Sequence, residues 1–276
     1  MSTVLEQTPS PAVTSAPVEE PILLRADQDG VATLTLNRPK QFNALSQAML
    51  AALQQELDEI AQNKAIRVVV IAANGKAFCA GHDLKEMRAH TEYEFQKALF
   101  DQCSRMMLSI HHLPQPVIAK VQGLATAAGC QLVAQCDLAV AAETATFATS
   151  GIRVGLFCST PAVPVSRAMP QKKALELLFT GDFIDAQTAV QFGLINQAVP
   201  ADELDAAVDR LCAAIVSKSP YAVASGKRMF YRQLEQPLAE AYAYAAEVMA
   251  CDMGAEDAAE GIDAFLQKRQ PVWRGR

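Results

Sequence analysis

The 276-residue chain is 51% apolar and 20% charged, with a net charge of −6 and an isoelectric point near 5.3. This length buries a sizeable core, and the acidic balance argues against nucleic acid as a partner; a phosphate-bearing ligand needs a local cluster of Lys and Arg. Seven cysteines, an odd number with no metal-type CxxC pair, read as reduced, buried thiols of a cytoplasmic protein. No apolar run approaches the ~20 residues of a membrane span, so no membrane is expected as a partner.

In chain order, residues 1–20 combine Pro, Ser, Thr, Ala and Glu with few large apolar residues and are expected to form a disordered tail. The absence of Arg there argues against a mitochondrial presequence, and the absence of a basic segment followed by an apolar one against a secretory signal. "VATLTL" (31–36) alternates as a strand and ends in the turn-rich "NRPKQFNAL". Ser46 is placed to cap "QAMLAALQQELDEIAQ", whose apolar residues fall at helical spacing, and "RVVVIAA" (67–73) is a β-branched run typical of a buried parallel strand. A long helix over about 92–112, a strand "PVIAKV" (116–121), a short helix from Ala127 and a strand "DLAVA" (137–141) continue the pattern. Repeated βαβ units of this kind predict an α/β fold with a helix-covered sheet. From about residue 161 strand signals nearly vanish, and the last third reads as helical. The chain divides into the tail (1–20), an α/β core (21–200) and a helical C-terminal subdomain (201–276).

Two loops follow buried strands, "NGKAFCAGHDLKEM" (74–87) and "QGLATAAGCQL" (122–132). Loops beyond the carboxyl ends of parallel strands form the binding crevice of such sheets. The second loop also opens a helix, whose free N–H groups and dipole favour a negatively charged oxygen. Small residues (Ala80, Gly81, Ala127, Ala128, Gly129) allow a ligand close approach to the backbone. Tight strand-to-helix turns would use the same residues.

"FCAGHDLKEM", then "VQGLATAAGCQLVAQCDLAVA", then "GLINQAVP" resemble the enoyl-CoA hydratase/isomerase (crotonase) superfamily, and the likeness runs from about residue 22 to "FLQKRQPVW". The resemblance implies a spiral of ββα units, a helical C-terminal subdomain used for trimer contact, acyl-CoA thioesters as ligands, and a homotrimer or a hexamer built as a dimer of trimers. It implies no cofactor beyond the coenzyme A of the substrate. It maps the two peptide N–H groups that hold the thioester oxygen to His82 and Ala128, with the His82 imidazole a bystander. It maps CoA contacts to Lys40, Ala44, Ala80, His82, Asp83, Leu84 and Lys268, with Arg269 beside the last.

Hydratases of the superfamily carry glutamates at two positions that hold Gln131 and Gly151 here, and the aspartate position of some isomerases falls near Ser159. An amide cannot take a proton near neutral pH, so the general acid/base contribution of about 10²- to 10⁴-fold is missing or comes from elsewhere. Ordinary hydration is therefore expected to be weak, and glutamates restored at 131 and 151 to raise it, provided the Gly151 backbone admits a side chain. Cys158, Ser159 and Thr160 form a polar cluster but lack a neighbouring base in sequence. Glu86 and His90 stand at i and i+4 as a surface pair, without a third ligand, and no metal is expected. Two readings stand: an enzyme acting on a thioester enolate without the glutamate pair, as in a decarboxylation, and a non-catalytic acyl-CoA binding protein.

Overall fold

The computed structural model describes residues 20–276, so the predicted tail, apart from Glu20, lies outside the described residues. The chain passes back and forth between two sheets. Strands β1 (Leu23–Gln28), β2 (Val31–Leu36), β3 (Val68–Ala73), β5 (Val117–Val121), β7 (Leu138–Ala142) and β10 (Gln197–Val199) form the larger one in that spatial order, antiparallel only at β1–β2. A smaller sheet holds β4 (Ala77–Cys79), β6 (Leu124–Thr126), β8 (Thr146–Ala148) and β9 (Ile184–Asp185), antiparallel only at β8–β9.

Helix α1 (Gln47–Gln62) precedes β3, and α2 (Leu84–Ala89) and α3 (Tyr93–His112) separate β4 from β5. Helix α4 (Ala128–Gln135) follows β6; α5 (Ser159–Ala168) and α6 (Gln171–Thr180) follow β8. Helix α7 (Ala186–Gln191) lies before β10, and α8 (Leu204–Val216), α9 (Pro220–Gln233), α10 (Leu238–Asp252) and α11 (Glu256–Leu266) complete the chain. Each turn thus lays one strand in the large sheet, one in the small sheet, and then a helix, giving β3-β4-α2, β5-β6-α4 and β7-β8-α5. This is the ββα spiral that the resemblance implies. The sequence reading of a single helix-covered sheet is corrected: β4, β6 and β8 are three residues each, too short to show a period. For the same reason β9 and β10 appear beyond residue 161, where strand signals nearly vanish.

The core is set by β3. Its Val69 and Ile71 point into the main apolar cluster with Leu34, Leu36 and the buried face of α1 (Leu50, Leu53, Leu57, Ile60). Val68 and Val70 point the other way, onto Leu204, Ala207, Val208 and Cys212 of α8. A strand buried on both faces has no polar alternation, which is why it reads as a continuous run. Helix α8 therefore covers the second face of the sheet. The α1 N-terminus is closed as expected, the Ser46 hydroxyl accepting from Met49 N at 3.3 Å.

Helix α9 is pinned by a buried ion pair. The Lys227 ammonium donates to Asp137 Oδ2 (2.7 Å), Ile110 O (2.9 Å) and Gln115 O (3.0 Å), while Tyr231 donates to Asp137 Oδ1 at 2.7 Å and Val117 N to Oδ2 at 2.7 Å. Every Lys227 proton and both carboxylate oxygens have partners, the condition under which burying a charge pair is tolerated.

Candidate active site

Both loops singled out in the sequence lie beyond the carboxyl ends of large-sheet strands and are packed against each other. After β4, Ala80 N donates to Phe42 O (3.0 Å) and Leu45 N to Gly81 O (2.8 Å). Gly81 sits at φ +97, and a Cβ there would meet Ala127 Cβ at 2.9 Å and Ala128 N at 3.2 Å. Glycine is required both for the dihedral and for the approach of the two loops. The next N–H, that of His82, has no acceptor among the described residues.

The second loop continues β6. Ala127 N donates to Ala148 O at 2.9 Å, and Ala127 itself is held at φ +52, ψ −120, a region an L-residue enters at a cost of roughly 1–3 kcal/mol. This turn starts α4 with Ala128 as its first residue, buried, its N–H also without an acceptor among the described residues. Gly129 places α4 directly over β4: a Cβ there would lie 2.0 Å from Cys79 O. Two peptide donors, one at a helix N-terminus, are thereby left unpaired beside one cavity.

That cavity measures about 350 Å³ and is lined by Ala80, His82, Leu84, Ala127, Ala128, Gly151, Cys158, Ser159 and Thr160, together with Met87, Phe100, Val154, Leu156 and Phe157. The structure thus gathers His82, Ala128, Ala80, Leu84, Gly151 and Ser159. The apolar wall is what sequence reasoning missed: Leu84 and Met87 at i and i+3 were a usable signal, whereas Phe100 on α3 carried none. Gln131 is 3% exposed, lies outside the lining, and leaves its Oε1 without a partner.

Position 151 shows why its side chain is missing. The Gly151 dihedrals are ordinary, but a Cβ would lie 2.6 Å from Leu156 O and 2.7 Å from Cys158 Sγ, and Gly151 N donates to that sulfur at 3.3 Å. A side chain at 151 is thus opposed by space rather than by backbone conformation, and a glutamate there requires its neighbours to shift. Burial pushes the Cys158 thiol up, so it is held as a thiol, and Ser159 Oγ donates to Phe157 O at 3.4 Å with no base in contact.

The His82 imidazole is oriented. Its Nδ1 lies 3.2 Å from Leu45 O, which can only accept, so Nδ1 carries the proton and Nε2, buried and without a partner, is an acceptor. Phe100 packs edge-on at 5.4 Å, and burial lowers the pKa, keeping the ring neutral at pH 7.

The remaining mapped residues stand outside the cavity lining. Asp83 caps α2, accepting from Lys85 N (3.1 Å) and Glu86 N (3.4 Å), and pairs with Arg38 at 3.4 Å. Ala44 is buried, and Lys40 is exposed on the short turn Pro39–Gln41. Lys268 follows α11 at φ +55, and Arg269 is engaged with Glu260 at 2.6 and 2.8 Å. Glu86 and His90 do not pair: Glu86 accepts from Gln47 N at 3.0 Å, and His90 stacks on Phe95 at 4.3 Å.

Residues 26–276 match the profile of the enoyl-CoA hydratase/isomerase family. A rat protein named enoyl-CoA hydratase domain-containing protein 3, mitochondrial, is 46% identical over 96% of this chain and 89% of its own length; the human protein of that name is 47% identical over 89% and 81%. The crystal structure of an enoyl-CoA hydratase from Mycobacterium smegmatis superposes with a TM-score of 0.91 at 55% identity, covering 92% of this chain and 99% of that one. The expectation of a cytoplasmic protein is corrected by the rat and human relatives, whose names place them in mitochondria. Spiral, paired loops and these likenesses agree over almost the whole described chain, which therefore adopts the crotonase fold and belongs to the enoyl-CoA hydratase/isomerase family.

Proposed function

We propose that the cavity binds an acyl-CoA thioester with its carbonyl oxygen between the N–H groups of His82 and Ala128. The observation that carries this reading is that two loops, held together by Gly81 and Gly129, each leave one peptide donor unpaired at the same apolar cavity. Donors of this kind, aimed at a developing enolate oxygen, are worth about 10²- to 10³-fold in rate each. Lys40 and Lys268 are the phosphate contacts, and the backbone from Ala80 to Leu84, with Ala44 nearby, takes the nucleotide end. The exposed apolar rim (Leu84, Val154, Leu156, Phe157) receives the acyl chain.

No carboxylate lines this cavity. The reaction that suits it generates the enolate without a base, as loss of CO₂ from a malonyl-type thioester does. The same observation favours a second reading, in which the chain binds acyl-CoA without turnover. Mass spectrometry of products after incubation with enoyl-, dienoyl- and malonyl-type thioesters, beside a binding titration of each, separates them. Turnover of the malonyl type is expected; tight binding with no product from any class establishes the second reading, and failure to bind any thioester overturns both.

The assembly is a homotrimer or a hexamer. Leu238, Tyr242 and Met249 on α10, Met253 just after it, and Phe265 and Leu266 at the end of α11 are 59–82% exposed in the single chain, an apolar face of the kind that marks a protein–protein contact. Light scattering at micromolar concentration is expected to give three or six times 29.7 kDa.

A further inference from the structure

At the opposite end of the large sheet lies a second cavity of about 520 Å³. Arg67 enters it just before β3 and Gln115 just before β5, so it opens at the amino ends of the strands whose carboxyl ends carry the thioester cavity. Five cations line it on a chain of net charge −6: Lys64, Arg67, Arg228, Arg274 and Arg276. No Asp or Glu is in its lining. Behind it, Glu256 pairs with Arg274 at 3.6 Å and Arg276 at 3.0 Å, and Asp257 is occupied by Ser219 and by the backbone N–H groups of Arg274 and Gly275. Lys64 and Arg228 have no carboxylate within 4.0 Å among the described residues. Lys64 and Arg228 thus stand without a paired carboxylate on a chain of net charge −6, while Glu256 and Asp252, which accepts from Ser225 Oγ at 3.0 Å, partly offset the other cations.

A separate observation concerns Gln115. It is 7% exposed, and its Nε2 donates to Ile60 O (3.0 Å), Ile66 O (3.3 Å) and Asn63 O (3.4 Å), which fixes the amide orientation. Its Oε1 is buried and has no partner. An acceptor buried without a partner is costly, and a donor on a bound molecule would satisfy it. Sulfate or a carboxylate satisfies the cations but leaves Oε1 unpaired. Ile66, Ile215 and Val223 add an apolar wall suited to an organic body, and the volume is that of a small-molecule site.

We infer that this cavity binds a phosphate ester that carries hydroxyl or amino donors, its phosphates on Lys64, Arg228 and the Arg274–Arg276 strap and a donor on Gln115 Oε1. The site is separate from the thioester cavity and stands or falls independently of it. The test is calorimetric titration of the full chain with GDP and with a hexose bisphosphate, beside sulfate and propane-1,2,3-tricarboxylate as anions that carry no hydrogen-bond donor. Saturable binding of one ester per chain is expected, and the tighter of the two tells a nucleotide from a sugar source. The Lys64→Gln/Arg228→Gln variant should weaken it at least tenfold, while Arg228→Lys stays within about threefold and crotonyl-CoA affinity is unchanged in both. No saturable binding of either ester, or undiminished binding to the double variant, overturns the inference. Sulfate or the tricarboxylate binding as tightly as the esters overturns the role of Gln115.

Discussion

The wall of the thioester cavity made by Gly81–His82 and Ala127–Ala128 and the wall made by Ser150–Pro161 are built from different materials. The first presents peptide N–H groups, set in place by two glycines that allow no Cβ and by one alanine held at positive φ. The second presents side chains, and there Cys158 Sγ and Leu156 O occupy the space that a Cβ at Gly151 would take. The difference teaches that a backbone donor is protected by the packing that positions it, whereas whether a position carries a side chain at all is decided by the room its neighbours leave.

The comparison breaks most visibly at the first wall. Gly129→Ala drives a Cβ to 2.0 Å from Cys79 O, where backbone must move; destabilisation of at least about 4 kcal/mol is expected, read as a Tm fall of roughly 10 °C or as failure to fold. A variant of unchanged Tm would mean that α4 does not lie so close to β4.

At the second wall the expected effect is on rate. Wild-type protein should hydrate crotonyl-CoA about 10²- to 10⁴-fold below an ordinary kcat of about 1–10³ s⁻¹, and Gln131→Glu/Gly151→Glu should gain nothing, because the second glutamate meets Leu156 O and Cys158 Sγ. Steady-state hydration measures both, and wild-type turnover in the ordinary range would identify His82 Nε2, or another group, as a working base.

Ala127→Gly sharpens the strain argument. Relief of the φ +52 conformation should stabilise the chain by about 1 kcal/mol in urea unfolding with thioester affinity kept, since the Ala128 N–H is untouched. Destabilisation instead would show that the Ala127 methyl contributes more by packing than its dihedral costs.

The smallest effect lies outside both walls. The Arg269 guanidinium and Val272 N–H hold the Glu260 carboxyl down to about 2. A depressed acid contributes stability that is fully present above its unfolded value of about 4.5 and is lost as pH falls toward 2. Acid unfolding of Glu260→Gln should therefore be flatter than wild type between those limits, and identical slopes would show that the pair does not persist in solution.

Local chemistry was enough to read several elements. Ser46 announces α1 because a hydroxyl competes well for free N–H groups at a helix start, and β3 announces itself because burial on both faces leaves no polar residue in "VVVIAA". The two small-residue loops were legible as well, since they are a matter of residue type at a motif position. The three-residue strands were not, because their pairing energy comes from neighbours in other turns of the spiral. Nor was the role of Cys158: seven residues separate it from Gly151, and only the fold of Ser150–Val154 brings its sulfur under that N–H.

The sequence by itself determined where helices start, which strands are fully buried, and which acid and amide residues stand at the motif positions, because each of these depends on a residue and its near neighbours. Tertiary structure alone decided that, among the described residues, His82 and Ala128 leave their N–H groups unpaired, that Gln131 is withdrawn from the cavity, and that five cations and Gln115 line one cavity at the far end of the sheet. Those are statements about which groups lack a partner, and a missing partner is defined only when every neighbour in space is known.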